Sequence, residues 1–528
     1  MPVRFLGLSL LLMSGTALPS MARADDMANK CEALAGVAIR NVRIGTASLQ
    51  QAGELPADPN SAMTGGSPRA LAVGTHCLVE GKIEDRAGVG GQYGIRFQFR
   101  APVDWNGRFL FQGGGGMDGF IAPAIGSVPV NTTTATPALA RGYAVISMDG
   151  GHNGYDAAFA QDQQARLDLG FAAIGKVTNV AKDLIDEFYG RQPDQSVFMG
   201  CSNGGREALM AAQRFPLEFD GVVAGNPGFH LSHAPLAELW DVKQLMAIAP
   251  EVNGEKILAK ALTQDDLDLV SRAVLDACDD QDGLKDGLIN AYKSCKFDLE
   301  SLRGTLEDKK LDALKRVMAG PVDAEGNSVY SDWPVDAGIN AAGWRAWKLG
   351  TSENGQSNAL NVVLGLASFS QLFMTPPTPS VDLAKLDFGK AEQAVREVGG
   401  YFDANSTFMT TYANHGGKLL VFHGMSDPVF SASDLMTWYE KAEANTGDTE
   451  FSRLFMVPGM THCGGGPAMD DFDPLTVMEK WMDSNKAPEQ MAATGKSFEG
   501  TTQPICAYPK EAHYKGGDKT SIDSYSCQ

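Results

Sequence analysis

Beyond its first residues, the sequence has no run of about 18 apolar residues, the length that a membrane-spanning helix requires. It is also short of basic residues: 44 Lys and Arg stand against 64 Asp and Glu, giving a net charge of −20. This charge disfavours nucleic acids and anionic membranes as partners. The sequence contains no internal repeats and no low-complexity segments. Its 528 residues suffice for one large domain with an insertion, or for two or three domains.

The first 24 residues have the pattern of a secretory signal peptide. Arg4 supplies a positive charge, residues 5–12 form an apolar run too short to cross a bilayer, and residues 22–24 form an A-x-A cleavage site. No cysteine stands at that site to carry a lipid anchor. We expect cleavage before Asp25 and an exported, soluble protein, either in the bacterial periplasm or outside the cell.

The chain has eight cysteines, an even number. Disulfides form and persist in oxidising compartments, so we expect an exported chain to pair its cysteines. The number alone leaves their connectivity open.

The segment 197–215 has the pattern of a nucleophile elbow. An apolar run at 197–199 predicts a buried strand, residues 200–204 fit G-x-S-x-G with Ser202 at the centre, and residues 206–215 are rich in helix formers. Because glycine is abundant, 59 residues of 528, an ordinary β–α turn is the alternative. The strand before the motif and the helix after it favour the elbow.

Further apolar runs alternate with helical patterns on both sides of the elbow. We predict strands at 93–100, 107–111, 142–148, 221–225, 418–422 and 454–457, and a helix at 176–189. This alternation predicts an α/β fold with a mainly parallel sheet. The glycines at 113–116 follow one of these strands, where an α/β-hydrolase supplies an oxyanion donor and where a flexible turn is the alternative.

The alternation stops after Pro227 and returns at the strand 418–422. Between them we predict helices at 265–277 and 306–319 and loops rich in Gly, Asn and Pro. We therefore predict a catalytic domain of residues 25–227 and 411–528, with residues 228–410 inserted as a lid domain over the active site.

Two polar loops follow the last predicted strands. Asp427 lies in a proline-containing loop after the strand 418–422, where a triad acid is expected, and His462 lies in a glycine-rich loop after the strand 454–457, where the base is expected. The chain order Ser202, Asp427, His462 is that of the α/β-hydrolases.

Other histidines compete with His462 for a functional role. We expect His152 and His423 to be hydrogen-bonded loop residues. His230 and His233 suggest a metal site, but no carboxylate or cysteine is spaced in the sequence to complete it.

Cysteines flank two of the triad residues. Cys201 precedes Ser202 and Cys463 follows His462. A working triad holds serine and histidine within hydrogen-bond reach, which brings the two cysteines close enough to form a disulfide.

This combination resembles the tannase/feruloyl esterase family of α/β-hydrolases, whose hallmark is that disulfide. The similarity covers nearly all of the mature chain and includes residues 105–109, 166–170, 423–427 and 506–510. Within the family, residues 343–350 and 375–377 are most similar to members of the mono(2-hydroxyethyl) terephthalate hydrolase (MHETase) type. The chain departs from that type at Asn361, where an arginine facing the substrate's free carboxylate is expected. This departure weakens the expectation that a terephthalate monoester is a good substrate.

The resemblance also implies roles for residues that the motifs alone do not assign. It places the oxyanion donors at the backbone N–H groups of Gly116 and Asn203. It pairs Cys31 with Cys77, and Cys506 with Cys527.

The lid contains an acidic segment in which four carboxylates fall within residues 279–286. So many charges would repel one another, so a hard cation is indicated, and oxygen ligands favour Ca²⁺. The segment is not an EF-hand, and a solvated acidic turn is the alternative. Its resemblance to the family's calcium loop implies ligands from the side chains of Asp279, Asp282 and Asp286 and the carbonyls of Leu284 and Leu288. Cys278 and Cys295 bracket the loop, and we expect them to be bonded.

The sequence thus predicts a secreted serine carboxylic ester hydrolase that cleaves esters of aromatic acids, such as gallate, hydroxycinnamate or terephthalate monoester, through an acyl-enzyme. Trp347 is a candidate for stacking on the aromatic acid, and Phe430 for facing it. An acyltransferase with the same triad, and a catalytically silent, calcium-stabilised binding protein, remain the alternatives. We expect a small aromatic ester as the partner, with no nucleic acid and no membrane. The oligomeric state is left open.

Overall fold

The computed structural model describes residues 1, 18–61, 68–378 and 380–528, without the side chains of residues 18–25. The predicted signal peptide, residues 1–24, therefore lies largely outside the described residues. Within these ranges, no helix combines the length and the apolar character that crossing a membrane requires.

The strands are numbered in chain order. They are β1 (Val42–Gln50), β2 (Gly53–Leu55), β3 (Leu71–Val73), β4 (His76–Gly88), β5 (Gly91–Pro102), β6 (Arg108–Gln112), β7 (Ala144–Met148), β8 (Gln195–Cys201), β9 (Gly221–Gly225), β10 (Glu251–Val252), β11 (Glu255–Lys256), β12 (Lys418–Gly424), β13 (Ser452–Val457), β14 (Gln490–Ala493), β15 (Gln503–Cys506), β16 (Ala512–Tyr514) and β17 (Tyr525–Cys527).

Helices occur in three forms. The α-helices are Leu18–Ala33, Gln163–Leu167, Ala173–Tyr189, Asn203–Arg214, Ala234–Ile248, Gln264–Cys278, Asp308–Ala319, Ala342–Lys348, Phe388–Phe402, Thr410–Asn414, Ala432–Thr446 and Pro474–Ser484. The π-helices are Asp168–Ala172, Asn361–Gly365 and Ser368–Phe373. The 3₁₀ helices are Leu34–Gly36, Ala138–Arg141, Ala157–Gln161, Leu258–Lys260, Asp279–Asp282, Leu299–Leu302, Ala337–Asn340, Leu383–Lys385, Lys496–Phe498 and Ile522–Ser524.

One nine-stranded sheet organises the molecule, in the order β1-β4-β5-β7-β6-β8-β9-β12-β13. From β7 to β13 every neighbouring pair is parallel, whereas β1, β4 and β5 join the sheet as antiparallel strands. This mainly parallel sheet with helices is the α/β architecture that the alternating pattern predicts. The sequence analysis did not identify the outer strands β1 and β4.

Successive residues of the central strands pack on opposite faces of the sheet, as a β-strand requires. In β6, Phe109 and Phe111 lie in the core that also contains the helices Ala173–Tyr189 and Asn203–Arg214. Leu110 lies between them in the core of the other face, which includes residues of the helix Pro474–Ser484. Both faces are therefore covered, which explains why these strands read as continuous apolar runs.

The carboxyl ends of four parallel strands meet at one edge. β6 leads into the glycines 113–116, β8 into Ser202, β12 into the loop of Asp427, and β13 into the loop of His462. Ligands of open α/β sheets bind at this edge, which places the candidate site there.

Among the described residues of the segment 228–410, no strand joins the large sheet, and the short strands β10 and β11 pair only with each other. This segment has an apolar core of its own, around Leu267, Leu311 and Trp344. A second cluster joins Leu236 and Phe369 of the segment to Leu169, which precedes the elbow. The segment, called the lid below, is thus packed firmly on the rest of the chain.

Candidate active site

Ser202 stands on a sharp turn between β8 and the helix Asn203–Arg214. Its backbone has φ 62° and ψ −123°, a conformation that is rare for a residue with a side chain. The glycines beside it are required by close packing. A Cβ on Gly200 would lie 2.6 Å from the backbone of Gly204, and one on Gly204 would lie 2.5 Å from the carbonyl oxygen of Gly114. This geometry is that of a nucleophile elbow and not of an ordinary β–α turn.

Three side chains from three separate loops form one hydrogen-bonded chain at this turn. The hydroxyl of Ser202 donates to Nε2 of His462 at 2.8 Å. Nδ1 of the same ring donates to Oδ2 of Asp427 at 2.9 Å. With the ring proton on Nδ1, Nε2 is free to accept the serine proton, as a general base must be. The structure therefore brings the predicted nucleophile, base and acid together.

Asp427 is buried, and its two oxygens are fully used. Oδ1 accepts hydrogen bonds from the backbone N–H groups of Val429 and Phe430, at 2.8 and 3.2 Å. Oδ2 accepts from Nδ2 of Asn226 at 2.7 Å, in addition to His462. Burial by itself raises the pKa of Asp427, but His462 above all, together with His423 and the amide of Asn226, outweighs it and brings the pKa to about 2. The carboxylate is therefore ionised at neutral pH. Sequence reasoning did not assign Asn226 this role.

The resemblance implies that the backbone N–H groups of Gly116 and Asn203 are the oxyanion donors, and both residues lie at the cavity that contains Ser202. In the part of the chain that the structure describes, neither N–H group is used in a hydrogen bond with another protein atom. Asn203 is the first residue of its helix, where backbone N–H groups point toward a bound anion. These two donors can therefore bind an oxyanion formed at a carbonyl attacked by Ser202.

A buried polar network lies beneath the oxyanion donors, and sequence reasoning missed it. Nδ2 of Asn203 donates to Oδ1 of Asp118 at 2.8 Å, and Gly114 N donates to Oε2 of Glu207 at 3.1 Å. Arg206, fully buried, donates through Nε to Oδ1 of Asn203 at 2.8 Å. Burial, together with the neighbouring Glu207, raises the pKa of Asp118 well above its usual value. The network holds the glycine loop against the elbow helix. Its sequence signal is the charged pair 206–207 on the buried face of an apolar helix.

Four disulfides join all eight cysteines. Cys201 and Cys463 are bonded with a Cα–Cα distance of 6.2 Å across 262 residues of sequence, next to the nucleophile and the base. The other bonds are Cys31–Cys77, Cys278–Cys295 and Cys506–Cys527. These are the pairs expected from the triad geometry, the bracketed acidic loop and the family resemblance.

Trp347 and Phe430 both contact the base. Their ring centroids lie 5.6 and 5.4 Å from that of His462, each in an edge-to-face arrangement. Trp347 lines an open cavity of 320 Å³ together with Ser202 and His462. Both aromatic residues line a narrower cavity of 60 Å³ that also includes Ser202. The two residues predicted to contact a substrate are thus next to the nucleophile.

The narrower cavity contains an acid that the sequence analysis did not single out. Glu238, on the helix Ala234–Ile248, lines it with Ser202, and its side chain forms no hydrogen bond with a described residue. Gly365 makes room for this carboxyl, since a Cβ there would lie 2.2 Å from Oε2 of Glu238. Burial raises the pKa of Glu238 to about 8, so the side chain is mostly protonated at neutral pH.

Asn361 does not reach either cavity. It is completely buried, and its Nδ2 donates to Oδ2 of Asp241 at 3.3 Å, beside the buried ion pair of Asp241 with Lys348. The position at which an arginine is expected to meet a substrate carboxylate is therefore part of the core of the lid.

Of the competing histidines, His423 is hydrogen-bonded as expected, since its Nε2 donates to the carbonyl of Phe430 at 3.0 Å, but it lies in the strand β12 and not in a loop. His152 differs from the expectation. Its ring stacks on Phe159 with centroids 3.7 Å apart, and among the described residues neither ring nitrogen has a hydrogen-bond partner. Burial lowers its pKa to about 3, so the ring is an uncharged packing element.

The acidic loop folds back on its own backbone. Oδ1 of Asp279 accepts from the N–H groups of residues 286 and 287, and Oδ1 of Asp282 accepts from that of residue 284. Oδ2 of Asp286 accepts from Gln503, so the loop also contacts the C-terminal segment. Asp279 and Asp282 are buried, and no Lys or Arg of the described residues forms an ion pair with any of the three carboxylates within 4.0 Å.

The chain is similar to known proteins over most of its length. The sequence model of the tannase and feruloyl esterase family matches residues 77–528. The chain is 37% identical to the mono(2-hydroxyethyl) terephthalate hydrolase of Piscinibacter sakaiensis, over 87% of this chain and 85% of that protein. It is 28% identical to a probable feruloyl esterase of Arthroderma benhamiae, over 81% of each.

A solved structure gives the same result for the fold. The crystal structure of feruloyl esterase B from Aspergillus oryzae matches with a TM-score of 0.78, covering 95% of this chain and 100% of that one at 22% identity. At this identity the likeness establishes a shared fold.

Proposed function

The chain belongs to the tannase and feruloyl esterase family, and we propose that it is an exported serine hydrolase that cleaves carboxylic esters of aromatic acids through an acyl-enzyme. The observation that carries this proposal is the hydrogen-bonded chain from Ser202 through His462 to Asp427 beside two free backbone N–H groups. The names of the two relatives, a terephthalate monoester hydrolase and a probable feruloyl esterase, support an aromatic acid as the acyl group.

The reaction follows from the positions of the groups. Nε2 of His462 takes the proton of Ser202 as its oxygen attacks the ester carbonyl, and ionised Asp427 stabilises the imidazolium. The N–H groups of Gly116 and Asn203 bind the oxyanion, each worth on the order of 3 kcal/mol in the transition state. The imidazolium then gives its proton to the leaving alcohol. Water, deprotonated by the same nitrogen, hydrolyses the acyl-enzyme and releases the acid.

The narrower cavity indicates which aromatic acid the enzyme prefers. An aromatic acyl group there would lie between Trp347 and Phe430 and reach toward Glu238. A protonated carboxyl both donates and accepts hydrogen bonds, which suits a phenolic hydroxyl. None of the described residues lining this cavity is a Lys or Arg, so a second carboxylate on the ring would be buried without a cation. We therefore expect a hydroxylated aromatic acid to be favoured over a terephthalate monoester.

A calcium ion is proposed for the acidic loop. Asp279, Asp282 and Asp286 supply the oxygen donors that a hard cation prefers, and the carbonyls of Leu284 and Leu288 would complete the set. In the described parts of the chain, no Lys or Arg forms an ion pair with any of these three carboxylates, which supports this fit. The loop is remote in sequence from the triad, so the ion would hold the lid and the C-terminal segment together and take no part in the ester chemistry.

Export is supported by the four disulfides, because such bonds persist in oxidising compartments.

Two alternatives share the scaffold. A silent binding protein is disfavoured, because a complete triad with a free oxyanion site would serve no purpose in it. An acyltransferase would use the same triad with another acceptor.

Both are tested by measuring turnover in water. Purified protein is assayed on methyl gallate, methyl ferulate, chlorogenate and mono(2-hydroxyethyl) terephthalate, with Ser202→Ala as the control. Release of the free acid by wild type and not by the variant is the expected result. No turnover of any of the four esters would refute the proposed activity, and turnover only after an added alcohol would identify a transferase.

A further inference from the structure

Two histidines and an aspartate converge at a second place in the lid. His230 and His233 lie in the turn between β9 and the helix Ala234–Ile248, and Asp403 follows the helix Phe388–Phe402. Their ligand atoms all lie within 4.8 Å of one another. The sequence offered no neighbouring carboxylate for this pair, because Asp403 is brought in by the fold from 170 residues away.

The spacing between these atoms is too wide for hydrogen bonds between the three side chains and is closer to that of ligands around one cation. Oδ2 of Asp403 lies 4.0 Å from Nε2 of His230 and 3.9 Å from Nδ1 of His233, beyond hydrogen-bond distance. Metal–ligand bonds of about 2.0–2.2 Å separate the ligands of a tetrahedral site by about 3.4 Å. A movement of about 0.5 Å would bring Asp403 to that distance from each ring. The two ring nitrogens, which lie within 4.8 Å of each other, would also have to approach for one ion to bind all three groups.

The outer nitrogen of each ring faces another carboxylate. Nδ1 of His230 lies 3.4 Å from Oδ2 of Asp434, and Nε2 of His233 lies 3.5 Å from Oε1 of Glu392. A metal-binding histidine commonly donates its other N–H to a carboxylate in this way, which orients the ring and strengthens the ligand. Both rings therefore have the arrangement of metal ligands.

One side chain currently bridges part of the site. Oγ of Ser232 donates to Oδ2 of Asp403 at 2.8 Å and lies 2.8 Å from Nδ1 of His233. The backbone N–H of Ser232 holds the other oxygen, Oδ1, at 2.8 Å, so the carboxylate stays in place if the hydroxyl rotates away. The histidines also line an open cavity with Glu392 and Asp434, which gives an ion a path from solvent.

We propose that His230, His233 and Asp403 bind a divalent transition-metal ion of the zinc class. Imidazole ligands select such ions over Ca²⁺, so this site is separate from the acidic loop. The ion would fasten the lid to the helix Ala432–Thr446, which carries Asp434 and begins five residues after the triad acid Asp427. Its role would be structural, since none of its ligands contacts the triad.

The full-length protein, kept in calcium, is depleted of transition metals with dipicolinate and titrated with Zn²⁺ by calorimetry, and with Co²⁺ by visible absorption. We expect one zinc per chain and the d–d bands of tetrahedral cobalt. Asp434→Asn, which removes only an outer carboxylate, should weaken zinc binding about ten- to a hundredfold. His233→Gln should weaken it more, and Ser232→Ala should leave it within a few-fold of wild type.

The exposed residue His415 provides a matched control through His415→Gln, and circular dichroism establishes that each variant is folded. A wild-type protein that binds neither metal stoichiometrically would overturn the proposal. So would zinc binding that is equal in wild type and Asp434→Asn, a result that does not depend on His233→Gln being folded. A melting temperature that falls in Ser232→Ala while no zinc binds would identify the group as a hydrogen-bonded cluster instead.

Discussion

Replacing Glu238 by glutamine tests whether this side chain is protonated in the narrower cavity beside Ser202. The glutamate is 7% exposed, and burial raises its pKa from an ordinary value of 4.5 to about 8. In the unfolded chain the carboxyl loses its proton near pH 4.5, whereas in the folded chain it keeps the proton up to about pH 8. The folded state therefore holds one more proton between these values, and its stability falls as the pH rises through that window.

The size of the effect follows from the two pKa values. At pH 7 the glutamate costs the folded state about 3 kcal/mol relative to an uncharged group, and at pH 5 about 1 kcal/mol. Glutamine has nearly the same shape and no charge, so Glu238→Gln should be more stable than wild type by these amounts. The gain in stability at pH 7 should therefore exceed the gain at pH 5 by about 2 kcal/mol. Any packing change that is the same at both pH values cancels from this difference.

Urea unfolding followed by tryptophan fluorescence, at pH 5 and pH 7 with calcium present, measures this difference. Glu397→Gln, at an exposed position of the lid, is the matched control. A gain in stability for Glu238→Gln that is equal at both pH values would refute the reasoning, because it would mean that the carboxyl is ionised in the folded protein.

A second substitution of Glu238, by leucine, tests substrate choice. If Glu238 meets a ring hydroxyl, Glu238→Leu should lower kcat/KM for methyl 4-hydroxybenzoate about tenfold relative to methyl benzoate, since a hydrogen bond of about 1–1.5 kcal/mol is lost. Glu238→Gln should retain most of that preference. An unchanged ratio in Glu238→Leu would show that the acid does not face the acyl group.

Three further predictions concern the triad, the calcium loop and the tether. Ser202→Ala should stay folded and lose more than a thousandfold in kcat on every ester, and a smaller loss would contradict its role as nucleophile. Excess EDTA should lower the melting temperature of the wild-type protein, because it removes an ion that binds the folded state. The melting temperature of Asp282→Asn should not change with EDTA. A wild-type melting curve that EDTA leaves unchanged, in protein that contains no calcium, would eliminate the calcium site. Cys201→Ala combined with Cys463→Ala opens a loop of 262 residues, for which the chain-entropy model gives at most about 5–6 kcal/mol of stability. In that double variant kcat should fall about ten- to a hundredfold, because a shift of about 1 Å in His462 carries such a cost, and wild-type kcat would show that the loop alone positions the base.

The loop that carries His462 illustrates where a local sequence pattern falls short. Its glycines suggest mobility, yet Gly465 N donates to Asp470 at 2.6 Å and Asn131 N donates to the carbonyl of Cys463 at 2.8 Å. Asp470 follows Gly465 by only five residues, whereas Asn131 comes from a distant part of the sequence, and both contacts restrain the base in addition to the disulfide. The loss in rate expected for the double cysteine variant is modest for this reason.

The N-terminal strands illustrate a different limit. β1 and β4 pair with each other and are exposed along one side, so they lack the continuous apolar run that marks the central strands. Their place in the sheet depends on cross-strand pairing, which periodicity does not report.

The sequence by itself determined the parts of this protein that depend on local pattern. The glycine-flanked Ser202, the strands that end at Asp427 and His462, and the even set of cysteines are each readable within a few residues, because backbone strain, burial of a strand and disulfide chemistry act at short range. Only the tertiary structure decided which distant groups meet. It brought Asn226 to Asp427, buried Asn361 away from the cavity, placed Glu238 beside Ser202, and joined Asp403 to two histidines. Such contacts are made by side chains on different elements, and their pKa values and partners depend on burial that arises only when those elements pack.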